Sequence, residues 1–142
     1  MISQKAKYAI RALIELARAA PGEALQTADI AERQRIPKKF LEQILLNMKN
    51  SGLILSKRGA HGGYSLLKPA ASISFTDVLR LIDGPVAPLP CLSQTAYRRC
   101  DDCPSESGCE VRRAFAAVVD AQRTVLDATS IADAAKPIRR KR

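Results

Sequence analysis

Apolar residues recur at helical spacing over three successive segments in the first fifty residues of the chain. From about Ser3 to Ala20, a stripe of alanine, isoleucine and leucine ends at Pro21-Gly22, which predicts a first helix. A second, short helix is predicted after Thr27, a residue type that often caps the start of a helix. Pro37 is well tolerated in the first turn of a helix, so a third helix is predicted there, with a buried stripe of Phe40, Leu41, Ile44, Leu45 and Met48.

Two short helices joined by a tight turn, the second with a polar outer face, are typical of a helix-turn-helix. The β-type runs at 53–55 and 64–67 flank a basic, glycine-rich loop, which predicts a two-stranded hairpin, the wing of a winged helix. The glycines of this loop permit positive φ angles and let the backbone approach a partner closely. A fourth helix is predicted from Ser74, which opens a capping-box-like sequence, to Gly84-Pro85.

A stiff connector and a long helix are predicted in the second half of the chain. Residues 84–90 contain three prolines, and a cysteine-containing loop separates them from a helix that reaches about Ala128. Valines and alanines along this helix recur every seven residues, which favours packing against a second copy of the chain. The predicted interface residues are Val111, Ala114, Phe115, Val118 and Val125.

The predicted fold class is therefore mainly α, a winged helix-turn-helix with a two-stranded wing and a long C-terminal dimerisation helix. We divide the chain into a winged helix-turn-helix domain at 1–83, a connector and cysteine loop at 84–109, a dimerisation helix at 110–135 and a basic tail at 136–142. Hydrophobic residues make up 46% of the 142 residues and aromatic residues only 4%. The core must therefore consist mainly of alanine, leucine, isoleucine and valine, which suits packed helices.

The sequence predicts a cytoplasmic protein without a membrane partner. Its apolar runs are far shorter than the roughly 20 residues that span a bilayer. The first residues, MISQKAKYAI, lack the cationic and then apolar pattern of a secretory signal. In the cytoplasm glutathione and thioredoxin keep thiols reduced, so structural disulfides are not expected.

The positive charge is concentrated in the first half of the chain. Residues 1–70 carry 12 lysines and arginines against 5 acidic residues, whereas residues 71–135 carry 6 against 9. The tail at 136–142 adds 5 positive charges, which would give non-specific affinity for a polyanion. A basic helix-turn-helix with a basic wing predicts binding to double-stranded DNA.

Particular residues are candidates for contacts to DNA. Arg58, at the start of the wing loop, is placed to enter a minor groove or to meet a phosphate. Glu42 in a groove-facing helix could accept a hydrogen bond from cytosine N4. Tyr8 is as consistent with core packing as with a backbone contact, and the lone histidine, His61, suits phosphate better than a metal. The full set of predicted DNA contacts is Lys5, Tyr8, Lys38, Lys39, Glu42, Gln43, Arg58 and His61.

All four cysteines of the chain lie within 19 residues, at Cys91, Cys100, Cys103 and Cys109. The residues between them are polar, which does not suit cysteines that fill a core. Four thiolates are the usual ligand set of an iron–sulfur cluster, and they also suit a structural zinc ion. A thiol–disulfide switch is a third possibility, because nearby Arg98 and Arg99 would favour a thiolate. The spacing alone does not decide between these alternatives.

The chain resembles the Rrf2 family of bacterial winged-helix regulators from Ile2 to about Ala134. The most specific matches are KAKYAIRAL at 5–13, FLEQIL at 40–45, RGAHGGY at 58–64 and the cysteine loop before a long helix. The resemblance implies a homodimer that pairs through the long helix and reads a palindromic site. It also implies a [2Fe–2S] or [4Fe–4S] cluster near the dimer interface, held by Cys91, Cys103 and Cys109.

The fourth ligand is where the sequence departs from this family pattern. Some members use a histidine three residues after the last cysteine, where this chain has Arg112. Others use a carboxylate from the first helix, where this chain has Lys7. Neither side chain is an iron ligand, so Cys100 is inferred to be the fourth. Some family members hold no cluster, which keeps the thiol switch open.

The expected function is that of a transcriptional regulator that senses iron, iron–sulfur status, nitric oxide or oxidants. Alternatives are a regulator with structural zinc or without a cofactor, and an electron-transfer protein whose basic half docks on an acidic partner. A cluster carrier needs neither a wing nor a recognition helix, which argues against the last. The sequence contains no evident catalytic set of residues, so an enzyme is not expected. It lacks an evident Ser/His/Asp set, a phosphate-binding Gly-x-x-x-x-Gly-Lys motif and an evident pair of carboxylates.

Overall fold

Six α-helices and one antiparallel pair of strands make up the computed structural model, which describes residues 2–138. Residues 139–142 of the predicted basic tail lie outside the described residues. Two 3-10 helices, at Ala70–Ser72 and Pro90–Leu92, lie between the longer elements. The elements follow one another as α1 (Gln4–Arg18), α2 (Thr27–Gln34), α3 (Lys38–Asn50), β1 (Ile54–Lys57), β2 (Gly63–Leu66), α4 (Phe75–Asp83), α5 (Glu110–Ala128) and α6 (Ile131–Ala135).

The core lies where α1, α3 and α4 pack together, and its residues are those that the helical spacing predicts. The hydroxyl of Ser3 caps α1 by accepting a hydrogen bond from the backbone N–H of Ala6 at 2.9 Å. Along α3 the predicted stripe is buried except for Phe40, which is half-buried. The fully buried side chains with the largest volumes include Leu13, Ile30, Leu41, Ile44, Leu45 and Met48.

Helix starts agree with the predictions for α4 and differ by one residue for α2. Ser74 and Asp77 form a reciprocal capping box at the start of α4, as the sequence predicts. Thr27 is the first residue of α2 rather than its cap, a position held by Gln26 without a side-chain hydrogen bond. Pro37 likewise precedes α3 instead of occupying its first position.

The predicted wing is a hairpin whose strands are shifted from the predicted runs. Ile54 pairs with Leu66 and Lys57 pairs with Gly63. The first strand begins after Leu53, because the N–H of Leu53 donates to the carbonyl of Met48 at 3.0 Å and so completes the end of α3. Tyr64 also exchanges two backbone hydrogen bonds with Leu25, which ties the wing to the segment before α2.

The region 110–135 contains two helices rather than the single long one that its assignment as a dimerisation helix implies. Helix α5 ends at Ala128, and α6 starts at a second capping box formed by Ser130 and Asp133. The reason is tertiary: the N–H of Ile131 donates to the carbonyl of Ile73 at 2.9 Å, and the N–H of Phe75 donates to that of Thr129 at 3.0 Å. These bonds turn the chain back so that α6 packs against α1. Over residues 2–138 we find no helix with the length and apolar character required to cross a membrane.

Candidate DNA-binding surface and cysteine loop

The outer face of α3 presents the polar residues that the sequence analysis assigns to DNA. Lys38, Lys39, Glu42 and Gln43 are all exposed, while their neighbours at 41, 44 and 45 are buried in the core. A helix with one anchored face and one polar face can enter a major groove without losing its packing. The structure therefore leaves this face free for the assigned role.

A polar network holds α2 against α1 and so sets the geometry of the helix-turn-helix. The guanidinium of Arg11 donates through Nε to the side-chain oxygen of Gln34 at 2.9 Å and also donates to the backbone carbonyl of Gln34. The amide of Gln34 in turn donates to a carboxylate oxygen of Glu15 at 2.6 Å. Because all three side chains are only partly exposed, this network fixes the end of α2 just before the turn.

Tyr8 packs within the domain, which bears on its two predicted roles. Its ring packs edge-on against the ring of Phe40, with 5.7 Å between the ring centroids. The guanidinium carbon of Arg11 lies 5.8 Å from the centroid of the Tyr8 ring. The ring is half-buried and belongs to the residues that flank the core. The packing role is therefore present in the structure, and a contact to the DNA backbone stays a prediction.

The turn between α2 and α3 contains a non-glycine residue in the left-handed region. Arg35 has φ 51° and ψ 49°, and its N–H donates to the carbonyl of Glu32 at the end of α2. Non-glycine residues rarely adopt this conformation, which costs about 1 kcal/mol or more. Two features of Ile36 hold the turn in place: its side chain is buried, and its backbone N–H donates to the carbonyl of Ala31 at 2.9 Å. Arg35 is exposed and adds a further cation to this surface.

The wing loop exposes both of its predicted DNA residues, Arg58 and His61. His61 shares a groove with Glu23, Asp29 and Lys57, between the wing and the start of α2. The imidazole therefore has carboxylates as well as a cation in its surroundings.

The glycines of the wing serve a close approach within the chain. An added Cβ at Gly62 would lie 2.3 Å from the carbonyl oxygen of Lys57, and one at Gly63 would lie 2.3 Å from that of Leu25. Gly63 also has a φ of 141°. The sequence analysis expected these glycines to let the backbone approach a binding partner, and the backbone that they approach here is the chain's own.

The cysteine loop spans the path from α4 to α5 and places its four thiols in different surroundings. Cys91 is only 7% exposed and lies in the 3-10 helix Pro90–Leu92, whereas Cys100 is exposed. Cys103 and Cys109 are half-buried, and all four are free thiols. Cys109 caps α5, and its Sγ accepts a hydrogen bond from the backbone N–H of Arg112 at 3.3 Å.

Hydrogen bonds give this loop a defined shape although most of it is exposed. The N–H of Cys103 donates to the carbonyl of Cys100 at 3.2 Å, which closes a turn across the Cys-x2-Cys pair. Arg99 donates to the carbonyl of Cys103 at 3.0 Å. The phenol of Tyr97 donates to the carboxylate of Glu106 at 2.5 Å, and this bond raises the pKa of Tyr97 above its ordinary value.

The electrostatics of the loop show that the thiols influence one another. Desolvation, followed by the nearby thiol of Cys91, the carboxylate of Asp102 and the thiols of Cys103 and Cys109, raises the pKa of Cys100. The electrostatic repulsion between neighbouring thiolates decreases when they bind a cation or a cationic cluster. Arg112 is half-buried and its Nε has no hydrogen-bond partner within the part of the chain that the structure describes.

The donor set fits an iron–sulfur cluster by its chemistry, since one loop supplies four sulfur ligands. The loop is not arranged as a finished metal site. Within residues 2–138, no three side chains of histidine, cysteine, aspartate or glutamate are close enough together to hold a metal ion. Binding would therefore require the loop to draw its thiols together.

The apolar seam predicted along the second half is exposed on α5. Val119 is the one buried residue of this helix, and Ala114 is exposed like the larger seam residues. The exposed fractions of those larger side chains are 55% for Val111, 41% for Phe115, 54% for Val118 and 62% for Val125. The predicted interface residues thus lie on the surface of a single chain.

The sequence analysis missed the polar contacts that join distant parts of the chain. Arg11 and Gln34 are separated by 23 positions, and Arg123 of α5 donates to the carbonyl of Leu92, 31 positions away. Helical periodicity marks an arginine only as polar and carries no signal for its partner. Half-burial at positions beside the apolar stripe is the one property that sequence spacing could have indicated.

Comparisons with known proteins agree with this architecture over nearly the whole chain. Residues 2–137 match the Rrf2 family, which is described as an iron-dependent transcriptional regulator. A relative from Rhodobacter capsulatus, named as an rrf2-like HTH-type transcriptional regulator, is 47% identical over 136 residues, which cover 94% of this chain and 91% of that protein.

Two solved structures show the same similarity in three dimensions. CymR of B. subtilis, described as the global cysteine regulator, is 30% identical, with a TM-score of 0.79 and 95% of both chains covered. IscR of T. potens is 25% identical, with a TM-score of 0.73, and the match covers 94% of this chain and 85% of that one.

The fold and these matches define a winged-helix transcriptional regulator. The chain belongs to the Rrf2 family, which confirms the resemblance seen in its sequence motifs. The family and the named relatives are regulators of transcription and not enzymes, in agreement with the sequence analysis.

Proposed function

We propose that the protein acts in the cytoplasm as a homodimer that binds a palindromic site in double-stranded DNA. The observation that carries this proposal is the exposed polar face of α3 beside a basic wing. The opposite face of α3 is buried in the core. The recognition helix would enter the major groove, and a dimer would place two such helices on neighbouring half-sites. The exposed apolar seam of α5 supplies a surface for the second copy.

Base reading and phosphate contacts divide between residues with different chemistry. Glu42 can accept hydrogen bonds from base edges in the major groove, and Gln43 can both accept and donate them. The cations of the first turn of α3 and of the wing would neutralise phosphates, and His61 and Tyr8 would add hydrogen bonds to the backbone. The phosphate contacts comprise Lys5, Tyr8, Lys38, Lys39, Arg58 and His61.

We propose further that Cys91, Cys100, Cys103 and Cys109 hold a [2Fe–2S] or [4Fe–4S] cluster. Such a cluster supplies redox chemistry and reactivity toward nitric oxide and oxidants, and its assembly depends on iron supply. The chain's own residues would bind it through four thiolates, and the backbone N–H of Arg112 donates to the last of them, Cys109. The description of the family as iron-dependent supports iron over zinc.

A regulator that works through thiols without a cluster is the second candidate. The similarity to CymR, a global cysteine regulator, favours it, and a structure of an oxidised CymR from Staphylococcus aureus also matches this fold. In this alternative the same loop would respond by thiol oxidation, or would hold a structural zinc ion. The DNA-binding proposal is the same in either case.

DNA binding is tested by selecting sequences from a random duplex pool and then measuring affinity by fluorescence anisotropy at several salt concentrations. We expect Arg58→Ala to weaken binding to all duplexes and to reduce the salt slope by about one. Glu42→Ala should instead relax base preference at one position, at a cost of about 1–3 kcal/mol in discrimination. Lys68→Ala, an exposed cation beyond the wing, is the control. Equal loss of affinity for every sequence with Glu42→Ala would show that Glu42 does not read a base.

The cofactor is tested by purification without oxygen, followed by a visible spectrum and assays of iron, sulfide and zinc. We expect iron and sulfide in the wild type, and no visible colour in Cys91→Ala, Cys103→Ala or Cys109→Ala. Cys100→Ala should assemble a labile cluster, because water or another residue can occupy one position. A Cys100→Ala protein identical to the wild type would remove Cys100 from the ligand set. One zinc ion and no iron would overturn cluster sensing and favour the second candidate.

A further inference from the structure

An arginine of α5 contacts the backbone beside Cys91. Nη2 of Arg123, on α5, donates to the backbone carbonyl of Leu92 at 2.7 Å. Leu92 directly follows Cys91, and both lie in the same 3-10 helix. The bond is partly buried, so water competes with it less than at an open surface. It therefore restrains the backbone next to a candidate ligand from the side of α5.

A second arginine reaches the same segment from the winged-helix domain. Nη2 of Arg80, on α4, donates to the side-chain oxygen of Gln94 at 3.4 Å, a long hydrogen bond. The segment 92–94 is thus held by α5 on one side and by α4 on the other. A displacement of this segment changes the relation between the helix that carries the apolar seam and the domain that carries α3.

The packing between the segment and α4 is close but incomplete. A cavity of about 10 Å³ lies between Thr76, Val86 and Leu126, and both arginines line it. Thr76 is only 3% exposed, and its hydroxyl has no hydrogen-bond partner among the residues described. A void of this size holds at most about one water molecule, and a buried hydroxyl without a partner costs free energy, so this contact is imperfectly packed.

We infer that Arg123 is a positioning residue that transmits the state of the cysteine loop to the winged-helix domain through the carbonyl of Leu92. The inference rests on the proposed sensing role of the loop. When the thiol of Cys91 is drawn toward a ligand, the 3-10 helix moves with it, and the bonds of Arg123 and Arg80 pass this movement to α5 and α4. The two states then differ in how the recognition helices are presented to DNA, which is the condition for coupling.

The first test uses the metal-free protein and measures the alkylation rate of each cysteine by iodoacetamide and mass spectrometry. Arg123→Met should speed the alkylation of Cys91 by roughly five- to tenfold, the factor set by losing one net hydrogen bond. The exposed Cys100 should be unchanged, and Arg123→Lys, which keeps a donor, should restore slow alkylation. Arg113→Met removes an exposed arginine of the same helix and is the matched control. An unchanged Cys91 rate in Arg123→Met would overturn the restraint.

The second test measures the DNA dissociation constants of cluster-loaded and cluster-free protein. In Arg123→Met the ratio of the two should move toward one by roughly two- to thirtyfold, while the visible spectrum of the loaded protein is retained. Gln94→Ala, a surface change that does not endanger folding, should move the ratio in the same direction by less. If cluster loading changes the DNA affinity of the wild type and of both variants by the same factor, the inference about Arg123 is overturned and the proposed sensing role stands. If the wild type shows no response, the proposed sensing fails and the inference with it.

Discussion

The helices of the DNA-binding half and the long helix of the second half use their apolar residues in opposite ways. Helix α1 has 15 residues and buries six of them, whereas α5 has 19 residues and buries only Val119. Both helices are amphipathic, so the difference does not lie in their patterns. It lies in what each apolar face meets: α1 packs against α3, α4 and α6, while the seam of α5 faces outward. A helical pattern predicts that a face will be buried without saying in which chain its partner lies.

This difference indicates that two parts of one chain have different roles in a regulator. The core beneath α3 is packed within a single chain and includes Ile131 of α6, so the reading surface does not depend on a second subunit for its shape. The cysteine loop and α5 have few buried residues of their own, and their arrangement is free to respond to a ligand or to a second subunit. The contacts of Arg123 and Arg80 are among those that join the two parts.

The largest expected effect is a difference in the free energy of unfolding between two side-chain truncations, one in each half. Ile44→Ala removes a fully buried side chain and should lower the free energy of unfolding by about 2–5 kcal/mol. Val118→Ala should change it by less than about 0.5 kcal/mol in dilute protein, because that side chain is exposed in a single chain. Urea unfolding over a range of protein concentrations checks both, and the cost of Val118→Ala should grow with concentration as dimers form. Equal losses in dilute protein would contradict this difference, because they would show that Val118 stabilises the single chain as much as a core residue does.

A charge placed in the seam of α5 tests whether a second copy covers it. Val118→Asp should give a folded monomer by sedimentation, because an unpaired charge buried in an interface costs several kcal/mol. Ala117→Asp, next to the seam on the side of Arg113 and Asp120, is the matched control and should remain a dimer. A Val118→Asp protein that sediments as an intact dimer would remove this helix from the interface.

The smallest expected effect concerns the capping box that ends the second half. The hydrogen bond from Lys136, together with those from Ser130, lowers the pKa of Asp133 to about 2. Because this value lies below that of an unfolded aspartate, near 3.9, the contribution to stability is complete above about pH 4 and is lost as the pH falls toward 2. The group is exposed, so the effect should be a small shift in Tm.

The variant Asp133→Asn should flatten this part of the dependence of Tm on pH, and hydrogen exchange of residues 131–135 should become faster at neutral pH. Asp127→Asn, on the exposed face of α5, provides the comparison. If Asp133→Asn leaves the slope between pH 4 and pH 2 unchanged, the capping box does not stabilise α6.

Local sequence alone determined the wing, the helices except α6 and the identity of the family. Ser3 and Ser74 cap α1 and α4, and the stripe from Leu41 to Met48 packs as its spacing predicts, because these features depend on residues within one or two turns. The motif RGAHGGY at 58–64 marks both the wing and the family, and at Gly63 a φ of 141° and the close approach of the Leu25 carbonyl exclude a side chain.

Tertiary structure decided how the chain turns back after α5 and which arginines carry structural roles. Thr129 and Ile131 form backbone hydrogen bonds with Phe75 and Ile73, and these groups are distant in sequence. The partners of Arg11 and Arg123 lie 23 and 31 positions away and leave no periodic trace in the sequence. A pattern of polar and apolar residues records the preference of each residue for water, whereas the pairing of two distant polar groups depends on how the whole chain packs.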